Sequence, residues 1–145
     1  RFMNTYPWII IMTHGNFGAE LKKSAELVLG PLKDVYCLSL NEGTDPMELS
    51  EELAGILEKA PDNTIILTDL YGGTPSNVAA IYAPRKNYTV ISGVNFPILI
   101  EAEMSRTPEE CEDSQSCGTM AERLISAGTA GISDIRKIME EMRKK

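Results

Sequence analysis

The chain has one histidine and three cysteines in 145 residues. Three thiols cannot pair completely, and neither their number nor their spacing matches a zinc site or a Cys-x-x-Cys redox pair. Cys37 sits in an apolar strand pattern, and Cys111 and Cys117 in an acidic, helix-like stretch; all three read as ordinary reduced thiols. No apolar run approaches the roughly 20 residues that span a bilayer. The opening Arg1-Phe2-Met3-Asn4-Thr5-Tyr6-Pro7 lacks the basic and apolar regions of a signal peptide. Positive charge is also short: the formal net charge is −7, which argues against nucleic acid or an anionic membrane as the main partner. There is no internal repeat, low-complexity tract or interdomain linker. These absences point to one soluble, cytoplasmic domain over residues 1–145, with 1–7 as a loosely ordered extension and enough chain to bury a core. Because the chain opens on Arg1, two origins stand open: a natural start at Met3, or a segment of a longer protein.

What is present starts with Trp8-Ile9-Ile10-Ile11-Met12-Thr13-His14-Gly15, an apolar run that stops at the histidine. It reads as a core strand of a parallel sheet. Phe17, Leu21, Ala25, Val28 and Leu29 then recur at helical spacing up to Gly30-Pro31. Val35 to Leu40 reads as a second strand. Asp45 and Pro46 make a cap and first position for a helix with a buried stripe of Leu49, Leu53, Ile56, Leu57 and Ala60. Thr64 to Thr68 forms a third strand ending at Asp69. Leu70-Tyr71-Gly72-Gly73-Thr74-Pro75-Ser76-Asn77 leads into a helix carrying Val78, Ile81 and Tyr82. Tyr88 to Ser92 is a fourth strand with the exit loop Gly93-Val94-Asn95-Phe96-Pro97, followed by a short helix.

Strands alternating with helices in this way predict an α/β fold: an open, mainly parallel sheet in order 2-1-3-4 with helices on both faces. Beyond Ser105 the pattern is weaker. Thr107-Pro108-Glu109-Glu110 reads as a helix start, and Met120, Leu124 and Ile125 as a buried stripe. Ile132, Ile135 and Ile138 fit either a continued helix or a stretch after a short strand, and Met139 to Lys145 a charged tail.

In such a sheet, strands one and three leave the topological switch point in different directions, and ligands gather there. That places His14 opposite Asp69. A carboxylate accepting the proton of one imidazole nitrogen fixes the tautomer and leaves the other nitrogen's lone pair facing outward as a nucleophile. Gly15 lets a ligand approach the backbone, and Gly72 and Gly73 allow free backbone amides to face the site. Thr74 and Pro75 open a helix whose N-terminus suits a phosphoryl group, with the threonine hydroxyl as a further donor. Phe17, Tyr71 and Asn95 fall at the site rim or partner-docking positions. A nucleophilic histidine, an orienting acid and an anion-binding turn together point to phosphoryl transfer through a phosphohistidine, with no metal or cofactor required. Singly, each piece has a plainer reading: a structural histidine, Asp69 as a turn cap, a tight strand-to-helix turn, and Asn95 bonding its own backbone.

Strand-Thr-His-Gly, then Leu-Thr-Asp-Leu-Tyr-Gly-Gly-Thr-Pro-Ser-Asn, then Ser-Gly-Val-Asn-Phe-Pro resembles the IIA component of the mannose-type (mannose/fructose/sorbose/N-acetylgalactosamine) sugar phosphotransferase system, from about Trp8 to Met104. The resemblance implies that His14 accepts phosphate from the phosphocarrier HPr and passes it to a IIB component, which serves sugar uptake through membrane IIC and IID subunits. It implies Asp69 as orienting acid and Thr74 as a phosphoryl contact. The family often has serine in place of Thr74 and tryptophan in place of Tyr71. It also implies a homodimer that exchanges a C-terminal antiparallel strand, for which Gly131-Ile132-Ser133-Asp134-Ile135 is the candidate.

Other readings remain open at this point. One is the related phosphocarrier of dihydroxyacetone phosphorylation. A second is a regulatory module whose phosphohistidine controls a transcription factor. A third is a flavodoxin-like binder or receiver domain; a receiver wants clustered acids where Thr13-His14-Gly15 stands.

Overall fold

Alternation along the first strand decides the layering. β1 (Ile9–His14) is fully buried over its first five residues. Ile9 and Ile11 point to one face, and Ile10 and Met12 to the other. A strand apolar on both sides has to be covered on both sides. The computed structural model of the protein describes residues 6–106 and 118–145.

β1 is flanked in parallel by β2 (Val35–Leu40) and β3 (Ile65–Thr68), and β4 (Thr89–Ser92) pairs with β3, giving the order β2-β1-β3-β4. The expected sheet order and parallel sense are therefore found. α1 (Phe17–Leu29), α4 (Phe96–Ser105) and α5 (Met120–Ala130) cover one face through Leu21, Ala25, Leu99, Ala102 and Leu124. α2 (Pro46–Leu57) and α3 (Thr74–Tyr82) cover the other through Leu49, Leu53, Val78 and Ala79. The α2 start is a capping box, with Asp45 accepting from the chain and Glu48 reaching back to the Asp45 amide.

Several expected core positions lie elsewhere. In α1 the buried line is Gly18, Leu21 and Ala25, while Phe17 and Val28 are exposed. Gly18 is there because a Cβ would meet Ile11 Cγ2 at 2.8 Å, so the helix start lies directly on the strand. Ile81 and Ile125 are likewise exposed, whereas Gly128 is buried. A Cβ at Gly128 would lie 2.5 Å from Ile98 Cγ1, which closes α5 onto α4. Periodicity gives an angle around the helix axis, not whether anything lies opposite it.

Tyr6 and Pro7, expected in a loose extension, are anchored. The buried Arg106 guanidinium donates to the carbonyls of Pro7 (3.0 Å), Asp34 (3.3 Å) and Lys33, and stacks over the Tyr6 ring at 4.3 Å. Residues 1–5, the helix start expected at Thr107, and both Cys111 and Cys117 lie outside the described residues. Cys37 is half-buried with its thiol 3.7 Å from the Gly18 carbonyl.

The C-terminal region differs from expectation. α5 ends at Ala130 with Gly131 as its C-cap, residues 132–134 form an irregular link, and α6 (Ile135–Arg143) follows, capped by Asp134. In the single chain the stretch from Gly131 to Ile135 thus forms no strand. Met139 to Lys145 is not merely a charged tail, because Met139 and Met142 join Ile135 and Ile138 as the exposed apolar residues of α6. No helix among the described residues is long and apolar enough to cross a membrane.

Candidate functional site

β1 and β3 run side by side with Met12 opposite Thr68, so their next residues leave the sheet at the same edge. His14 is thereby brought onto Asp69. The Asp69 Oδ2 atom accepts from the His14 backbone N–H at 2.8 Å and lies 3.0 Å from Nδ1. One carboxylate oxygen holds both the chain and the ring, so the imidazole has little freedom to turn. Placing the ring proton on Nδ1, as this contact favours, leaves the Nε2 lone pair free. The histidine side chain is 48% exposed and that of Asp69 13%. The imidazole is thus open while its carboxylate partner is shielded. The second oxygen, Oδ1, is buried and without a partner among the described residues.

Thr13 sets the loop that follows. Its fully buried hydroxyl accepts from Gly18 N at 2.9 Å and donates to the Gly15 carbonyl at 3.2 Å. Gly15 has φ +56, a conformation glycine adopts without strain.

On the far side, Leu70 to Gly73 forms a turn in which Gly73 N donates to Leu70 O at 3.0 Å. Gly72 takes φ +86 at its third position, as a type II turn requires. α3 starts directly after it, with Gly73 as its N-cap and Pro75 in the first turn. Gly73 presses on the histidine: a Cβ there would lie 2.8 Å from His14 Cε1 and 3.5 Å from Nε2.

The expectation that the glycines offer free amides is met only in part. Gly15 N donates to Leu40 O at 2.8 Å, and Gly73 N is engaged within its turn. Both glycines therefore supply room and shape and not a donor. The amides of Gly72 and Thr74, with the Thr74 hydroxyl, have no hydrogen-bond partner among the described residues. They are the groups left to meet an anion at the start of α3.

Phe17 and Tyr71 are 47% and 88% exposed, at the start of α1 and in the turn after Asp69. The Asn95 side chain is taken up in holding helices together. Its Oδ1 caps α4 by accepting from Ile98 N (3.0 Å), and its Nδ2 donates to Gly128 O (3.1 Å). Sequence reasoning missed the exposed Leu70 beside Tyr71 and the hydroxyls of Thr13, Thr68 and Ser76. An apolar residue directly after a site carboxylate was the available signal for Leu70; nothing local marked the hydroxyls. An open pocket of about 410 Å³ adjoins the turn, between Tyr71, Gly72, Ser76 and the β4 residues Val90 and Ser92. Among the described residues no cluster of three or more His, Cys, Asp or Glu could hold a metal ion.

Comparison with known proteins bears on this arrangement. The sequence pattern of the family described as "PTS system fructose IIA component" matches residues 8–116. The chain is 30% identical over 131 residues to the mannose-specific EIIAB component of the phosphotransferase system of Escherichia coli K12, covering 88% of the chain and 39% of that relative. It therefore spans about two fifths of the length of the curated relatives matched first. It is 32% identical over 96 residues to the fructose-specific EIIA component of Bacillus subtilis, covering 64% of the chain and 66% of the relative. In structure it is similar to the mannose/sorbose-specific IIA subunit of Enterococcus faecalis, with TM-score 0.75, 31% identity and coverage of 88% and 93%. With its 2-1-3-4 parallel sheet and the matched stretch running through His14, Asp69 and the turn beyond, the chain belongs to the fructose IIA component family of the sugar phosphotransferase system.

Proposed function

We propose that the chain is a phosphoryl carrier of a phosphoenolpyruvate-dependent sugar phosphotransferase system, acting in the cytoplasm with His14 as its acceptor. The observation that carries this reading is the single oxygen of Asp69 holding both the backbone N–H and Nδ1 of His14. The Nε2 lone pair attacks the phosphorus of the donor phosphohistidine on HPr. A new N–P bond forms as the donor's N–P bond breaks, and the donor imidazole leaves with the electron pair. The Nδ1 proton stays between His14 and Asp69, whose charge offsets the positive charge that grows on the ring. The transferring phosphoryl group is loosely bonded and metaphosphate-like, its negative charge spread over three oxygens, so it needs positioning and electrostatic support. The free amides of Gly72 and Thr74, the Thr74 hydroxyl and the positive end of α3 provide both. Transfer to a histidine of a IIB component repeats the step with the roles exchanged and links the chain indirectly to membrane IIC and IID subunits. Phe17, Leu70 and Tyr71 offer the apolar rim on which both partners dock.

Incubation with phosphoenolpyruvate, enzyme I and HPr tests this. One acid-labile phosphoryl group, absent from His14→Ala, is the expected result. No uptake, with HPr shown to be phosphorylated in the same tube, overturns it.

The homodimer belongs to the same reading. Among the described residues β4 pairs on one side only and the apolar residues of α6 lie uncovered, which leaves an open edge and a stripe for a second copy. Sedimentation equilibrium should give twice the chain mass, falling toward one chain mass for Ile138→Glu. A single-chain mass at high concentration would remove the dimer.

A further inference from the structure

The turn that presses on His14 is itself held by two hydroxyls, and these belong to residues that the proposed chemistry does not use. Thr68 is the last residue of β3, paired with Met12 of β1 on one side and Ser92 of β4 on the other, and is 1% exposed. It is a fixed point of the sheet. Its Oγ1 lies 2.6 Å from Ser76 Oγ, and Ser76 Oγ lies 2.6 Å from the Leu70 carbonyl. The carbonyl can only accept, so Ser76 donates to Leu70 O and Thr68 donates to Ser76. The same carbonyl accepts from Gly73 N at 3.0 Å.

The chain of contacts runs Thr68 hydroxyl, Ser76 hydroxyl, Leu70 carbonyl, Gly73 amide, and from Gly73 to the edge of the imidazole. Asp69 fixes the ring from its Nδ1 side, and Gly73 abuts it at Cε1, the atom next to the nucleophilic Nε2. Hydrogen bonds in series also polarise and tighten one another.

We propose that Ser76, seated on Thr68, is a positioning residue for phosphoryl transfer at His14. Its hydroxyl ties both ends of the turn from Leu70 to Ser76 to the sheet. It thereby sets the height of Gly73 against the ring and the aim of the free Gly72 and Thr74 amides. The kinetic part rests on the reading of His14 as phosphoryl acceptor; the placement of the ring does not. Ångström-scale misplacement in a transfer site costs about 10²-fold in rate, and a slackened turn is a milder fault.

The test uses Ser76→Ala, Ser76→Thr and Thr68→Val. Ser76 lines the open pocket; Ser76→Thr keeps its hydroxyl, and Thr68→Val keeps the side-chain shape. His14 is the only histidine, so its ring signals are assigned without ambiguity. In the unphosphorylated protein, the nuclear Overhauser effect between His14 Hε1 and the Gly73 Hα protons should be strong in the wild type and in Ser76→Thr. It should weaken at least twofold in Ser76→Ala and Thr68→Val.

With phosphorylated HPr, the single-turnover rate should fall about tenfold in those two variants. The KM for HPr should be unchanged, and threonine at position 76 should restore the rate. A raised KM with unchanged rate would make Ser76 a docking residue and overturn the proposal. So would an unaltered Overhauser effect in Ser76→Ala, or a threonine variant as slow as the alanine one. If the wild type took no phosphate while the Overhauser effect responded as expected, the phosphocarrier reading would fall and the placement of the ring by Ser76 would stand.

Discussion

Gly73 backs onto the imidazole of His14 so closely that a Cβ on the glycine would lie 2.8 Å from Cε1. Its φ of −79 is open to any residue, so the glycine is required by the ring beside it and not by the backbone. Gly72, with φ +86 and nothing near its absent Cβ, is the reverse case. Two adjacent glycines therefore serve one turn for different reasons. Gly73→Ala must displace either the ring or the turn. It should lower the rate of His14 phosphorylation about 10²-fold while thermal unfolding shifts little. A wild-type rate in this variant would show that the ring has slack that the contact conceals.

Asp69→Asn keeps an oxygen able to accept from the His14 amide but loses the charge that, in the proposed transfer, supports the ring as it bonds phosphorus. The fold should survive, with an unchanged circular dichroism spectrum. The transfer rate should drop by about 10²-fold, the lower range for a positioned acid–base partner. Rapid-quench kinetics with phosphorylated HPr measures it, and a rate within twofold of wild type would end the role given to Asp69.

Arg106 predicts the opposite pattern. It sits at the far end of the strands, joining α4 to the start of β1 and the loop before β2 through three carbonyls, with Glu103 2.6 Å from its Nη2. Arg106→Met leaves those carbonyls without their donor and the Glu103 carboxylate without its counter-ion. Urea unfolding should show a loss of about 3–5 kcal/mol, the usual result of removing one member of a buried pair. Phosphorylation of the folded fraction should proceed at the wild-type rate, since no contact of Arg106 reaches His14.

Cys37 gives a pH dependence. Burial pushes its thiol up; Lys22 opposes this and Glu26 adds to it. Below the ordinary thiol range, folded and unfolded chains both hold the proton, and stability does not respond. As pH rises through that range the unfolded chain loses its proton first, so stability falls until the folded thiol also ionises. The urea midpoint of the wild type should therefore decline more steeply from about pH 8 to 9.5 than that of Cys37→Ala. Equal slopes would show that the thiol is not shielded in solution.

Most of the architecture was legible in the residues. The run Ile9 to Met12 is apolar on both faces and allows only a covered, central strand. Asp45-Pro46 and Gly30 mark helix ends by local backbone chemistry, which needs no tertiary information. The pairing of His14 with Asp69, 55 positions apart, could be read because both follow apolar strands and the topology fixes which strands adjoin. What the chain alone could not decide depends on distances between elements. Whether Phe17 and Val28 are covered depends on what stands opposite α1, and whether Gly15 and Gly73 offer free amides depends on where Leu40 and Leu70 lie. The hydroxyls of Thr68 and Ser76 look like any others in the sequence, and only their 2.6 Å approach makes them a pair. Periodicity and capping are properties of a few neighbouring residues and can be read from order. Hydrogen-bond occupancy and close contact are properties of space, and the tertiary fold decided them.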